Sequence, residues 1–91
     1  MNDREIKNAI VNTMLHKGLT GSHKAQRQTV VGWAVASHDE GRAKELLDEL
    51  IRAGVLEAYG GGHRGNVRLS SVDEAVQYLR DNGGDVPFGY D

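Results

Sequence analysis

The chain has 91 residues, 38% of them apolar and 26% charged, with a net charge of −2 and no cysteine. That length holds one hydrophobic core and excludes a multidomain enzyme, while the lack of Cys excludes disulfide stapling, thiolate catalysis and thiolate metal sites and fits a reducing, cytoplasmic setting. The longest apolar run, Val30 to Ala36, covers seven residues against the about 20 that span a bilayer, so no membrane partner is expected.

Charge is unevenly distributed along the chain. Residues 1–28 carry +3, residues 29–57 carry −3, residues 58–70 carry +2 and residues 71–91 carry −4. A polyanion could meet two basic segments if the fold brings them together.

Taken in chain order, Asn2 or Asp3 can cap a first helix in which Ile6, Ile10, Val11, Met14 and Leu15 recur at helical spacing as far as Lys17. Gly18 ends it. Val30, Val31, Ala34 and Val35 make a short apolar stripe that predicts a second helix over 25–36, with Trp33 read as a core or interface residue and core packing preferred. Ser37-His38-Asp39-Glu40 has the spacing of a capping box, which starts a third helix over 38–53. Ala43, Leu46, Leu47, Leu50 and Ile51 line one face of that helix, and Gly54 follows at its end.

The period then changes to two. Val55–Tyr59 and Asn66–Ser70 are strand candidates, joined by Gly60-Gly61-Gly62-His63-Arg64-Gly65. Such a tip has two basic side chains and a backbone free to approach a ligand closely. Val72, Ala75, Val76 and Leu79 predict a last helix over 71–82, stopping at Gly83-Gly84. The segment 85–91 is a tail whose Phe88 and Tyr90 either fold back on the domain, dock on a second copy or meet another partner.

Several suggestive letters carry no chemistry. Gly60-x-Gly62-x-x-Gly65 matches a dinucleotide fingerprint, but a returning strand follows it where a helix is required. Ser37-His38-Asp39 are consecutive and cannot align for proton relay. The histidines at 16, 23, 38 and 63 have no pair at ligand spacing, so neither a metal nor another cofactor is expected. Glu45, Asp48, Glu49 and Asp81 read as solvated helix faces, and no enzymatic activity is assigned.

Three helices, a glycine-tipped hairpin and a further helix form an order that resembles the winged helix-turn-helix family of DNA-binding domains over residues 3–70. The likeness is carried by Arg42-Ala43-Lys44-Glu45-Leu46-Leu47-Asp48-Glu49-Leu50-Ile51-Arg52-Ala53-Gly54-Val55-Leu56, which resembles the family's recognition helix running into its first wing strand. A further similarity is to short haloarchaeal winged-helix proteins.

The resemblance implies an α+β winged helix-turn-helix domain over 1–84, with a recognition helix over about 38–53, a wing over about 55–70 and a C-terminal helix over about 71–82. It also implies double-stranded DNA as partner, sequence-specific binding by a transcriptional regulator, and a homodimer through the C-terminal helix or tail. His63 and Arg64 at the wing tip, with Lys24 and Arg27 near the second helix, are then expected on phosphates, His38 and Arg42 on base edges, and Arg68 beside the wing contacts. The alternative is a protein-interaction module on the same fold, using the acidic third helix or the aromatic tail.

Overall fold

The computed structural model describes residues 1–59 and 65–90. Four α-helices pack with a three-stranded antiparallel sheet: α1 (Asp3–His16), β1 (Ala25–Gln26), α2 (Arg27–Ala34), α3 (Glu40–Arg52), β2 (Leu56–Tyr59), β3 (Asn66–Leu69) and α4 (Val72–Asp81). The strand order is β1-β3-β2, so the hairpin strand β3 lies at the centre.

Helix α1 starts in a capping box. The Asn2 side chain accepts from the Glu5 amide at 2.8 Å while the Glu5 carboxylate accepts from the Asn2 amide at 3.0 Å. Gly18, at φ +67°, reverses the chain at its end, with Gly18 N–H donating to the Leu15 carbonyl and Leu19 N–H to that of Met14, both at 3.0 Å. Helix α3 ends the same way: Gly54 has φ +82°, and the Val55 amide donates to the Leu50 carbonyl at 3.1 Å. A side chain with a Cβ is strained in that left-handed conformation, which is why glycine stands at both positions.

The core is continuous. Ile10, Met14, Leu46, Leu50, Leu56, Val67 and Leu79 are each at most 1% exposed, joining α1, α3, the hairpin and α4 in one apolar cluster. Leu19, buried at the end of α1, accepts the Leu69 amide at 2.8 Å and ties the α1–β1 loop to the sheet.

Three local expectations are corrected. The second helix begins at Arg27, because Ala25 and Gln26 are extended and pair with Val67 and Asn66 of β3. The box at Ser37 does not start the third helix: Ser37–Asp39 form a 3-10 turn in which the Asp39 amide donates to the Ala36 carbonyl at 2.9 Å, and α3 follows from Glu40. Trp33 is not in the core. Helix α2 buries Val30 and Val31, and Trp33 lies beyond that stripe, 46% exposed, with the Lys17 ammonium 4.6 Å from its ring centroid.

The tail divides. Tyr90 folds back, its hydroxyl donating to the Leu15 carbonyl at 3.0 Å, whereas Phe88 is fully exposed on a turn in which the Tyr90 amide donates to the Pro87 carbonyl at 3.2 Å.

Candidate nucleic-acid interface

Pleating sorts the side chains of the sheet. Val67 and Leu69 of β3 point into the core, so Asn66 and Arg68 point outward, and the register Glu57↔Arg68, Tyr59↔Asn66 and Gln26↔Asn66 places those partners on the same outer face. Lys24, two residues before Gln26, joins them.

On that face Lys24 and Arg68 meet at one ring. The Lys24 ammonium is 4.6 Å and the Arg68 guanidinium carbon 4.4 Å from the centroid of Tyr59, a residue 40% exposed. Arg68 also donates to the Gly21 carbonyl at 2.7 Å and to the Glu57 carboxylate at 2.9 Å.

A cleft of about 300 Å³ lies between α2 and α3, lined by Arg27, Gln28, Lys44, Leu47 and Asp48. Arg27 donates to the Asp48 carboxylate across it at 2.6 Å, and its buried Nε has no partner among the described residues.

Helix α3 presents a mixed surface. Gly41, Lys44, Asp48 and Arg52 recur out of phase with the buried Ala43, Leu46, Leu47 and Leu50, so they form the outer face. Arg42 sits on the flank toward α1, where it grips the Asp3 carboxylate through two nitrogens and the Glu45 carboxylate at 2.6 Å.

Those hydrogen bonds raise the guanidinium's pKa further and hold the Asp3 carboxyl below its ordinary value. A second pair on this flank, Lys7 with Glu49 at 2.9 Å, lowers the Glu49 carboxyl in the same way. Both carboxyls are depressed on folding, so the stability they contribute is present above the unfolded carboxylate range and is lost as pH falls through the lowered values.

Of the residues singled out by sequence, Lys24 and Arg68 meet at the Tyr59 ring on the sheet, whereas the Arg27 side chain turns to Asp48 in the α2–α3 cleft. Arg42 is engaged along the α1 flank, and His38 is 79% exposed beside the Asp39 carboxylate, 3.2 Å away. His63 and Arg64 lie outside the described residues.

Sequence reasoning missed Lys44 and Tyr59. Lys44 was signalled by its place in the three-and-four repeat of the outer face. Tyr59 was signalled by alternation from the inward Leu56, which puts Glu57 and Tyr59 at outward registers opposite Arg68 and Asn66.

No family model, curated protein or solved structure matches this chain. Among the described residues no three His, Asp or Glu side chains converge as a metal site, and no helix is long and apolar enough to cross a membrane.

Proposed function

We propose that the chain is a winged helix-turn-helix domain that binds double-stranded DNA and serves as a transcriptional regulator. The observation that carries this reading is the meeting of Lys24 and Arg68, from two segments distant in sequence, at the Tyr59 ring on the outer face of the sheet, with Arg27 following β1 at the start of α2. The element order helix, strand, helix, helix, strand, strand and the sheet order β1-β3-β2 support the winged-helix part of it.

On this reading Lys24 and Arg68 contact phosphates, Arg27 does so in competition with Asp48, and Lys44 is the cation of α3 directed at the groove. Arg42, bonded on both sides by carboxylates, links α1 to α3 instead of reading bases. Titrating a mixed-sequence duplex at several salt concentrations tests it. Two or more phosphate contacts give a log–log salt slope of about −1.8 or steeper.

The second reading, a protein-interaction module on the same architecture, is favoured by one feature: cations of the α2–α3 surface are neutralised by Asp3, Glu45 and Asp48. Absence of duplex affinity at low salt, where electrostatic attraction is strongest, selects it.

Either reading accommodates a homodimer, supported by Phe88, whose whole side chain stands in solvent between the anchored Val86 and Tyr90. Sedimentation velocity should find a dimer for the unaltered chain and a monomer for Phe88→Ala. Equal sedimentation of the two would remove Phe88 from the contact.

A further inference from the structure

We infer that the outer face of the sheet is a preformed seat for one backbone phosphate, and that Tyr59 is the positioning residue that assembles it from Lys24 and Arg68. This rests on the DNA-binding reading and adds to it a residue with no charge of its own.

The geometry is the starting point. Lys24 and Arg68 repel one another, and a lysine with four rotatable carbons is costly to hold still. A single ring offsets both effects, because its negative face attracts a cation within about 6 Å, and here both cations lie inside that distance, at 4.6 and 4.4 Å. Order bought before binding is not lost during it.

Donor capacity remains for a ligand. A guanidinium has five N–H donors. Arg68 directs Nε and Nη2 at Glu57 and one Nη1 hydrogen at the Gly21 carbonyl, which leaves a hydrogen on each terminal nitrogen. Lys24 has three donors and no carboxylate partner among the described residues.

Charge also fits. With Glu57 counted against Lys24 and Arg68, the cluster is net +1 among the described residues, the complement of a phosphodiester's single negative charge. The seat is continuous with α2, since the Arg27 amide donates to the Gly65 carbonyl at 3.4 Å at the same end of the sheet.

The test is a set of salt titrations on one duplex with Tyr59→Phe, Tyr59→Leu, Lys24→Gln and the Tyr59→Leu/Lys24→Gln double variant, each confirmed folded by thermal melting. Tyr59→Phe keeps the ring and should bind as the unaltered chain does. Tyr59→Leu should flatten the salt slope by about 0.9, equivalent to an about eightfold loss of affinity at 0.1 M salt, whatever the duplex sequence. Lys24→Gln should produce a similar loss by itself and little more in the Tyr59→Leu background.

An unchanged slope for Tyr59→Leu, or fully additive losses in the double variant, overturns the seat while leaving DNA binding intact. No duplex affinity in the unaltered chain overturns both.

Discussion

Replacing Gly84 with Ala should destabilise the fold by about 1–3 kcal/mol, the usual effect of forcing extra volume into a packed site. A Cβ at this position would lie 2.8 Å from Asn8 Cγ and 2.8 Å from Leu79 Cδ2. Neither neighbour can retreat easily. Leu79 is fully buried, and Asn8 is pinned by donating its amide to the Asn82 carbonyl at 3.0 Å.

The Gly84 amide is itself fixed, donating to the Leu79 carbonyl at 2.8 Å as α4 ends. The close approach of this backbone to α1 therefore depends on the missing side chain. For a domain of this size each kcal/mol lowers the melting temperature by roughly 4–8 °C, a change readily seen by circular dichroism. A melting temperature equal to that of the unaltered chain would show that the α1–α4 seam gives way without loss.

Asp48→Asn should make duplex binding about eightfold tighter at 0.1 M salt and steepen the log–log slope by about 0.9. Asp48 occupies Arg27 at 2.6 Å, on the side of the cleft that also holds Lys44. Asparagine keeps the volume, withdraws the ionic partner and removes a negative charge from the surface offered to phosphate.

Both side chains are partly open to solvent, 31% for Arg27 and 44% for Asp48, so the pair contributes only about 0–1 kcal/mol to folding. The substitution should thus separate binding from stability, which anisotropy titrations and melting curves read independently. Weaker or unchanged binding would mean that this cleft does not face the duplex.

Helices α1, α3 and α4 are legible in the sequence because their apolar residues repeat at three and four, and each of them ends at a glycine required by its backbone. The hairpin is legible from the change to a period of two. Strand β1 is not, since two residues display no period and their partner, β3, is distant in sequence.

The start of α3 illustrates a different limit. Asn2–Glu5 and Ser37–Glu40 have the same box spacing, yet only the first forms, because the second is overridden by the 3-10 turn through Ser37–Asp39. For the interface, sequence supplies the inventory of cations and the fold decides their company. The Arg42–Glu45 spacing is visible on a helix, but Asp3 reaches Arg42 only through packing of α1 on α3, and nothing local joins Lys24 to Tyr59. Trp33 is not placed by the apolar stripe alone, because α2 is only about two turns long and buries just Val30 and Val31.

The two residues of β1 have a mechanical consequence. Ala25 and Gln26 bond to β3 on the edge opposite β2, and the chain passes from them directly into α2. The hairpin is thereby clamped on its far side by the segment that launches a helix, and the two cannot swing separately. A load borne by β3 is therefore shared with the start of α2 through the Ala25–Val67 and Gln26–Asn66 pairings.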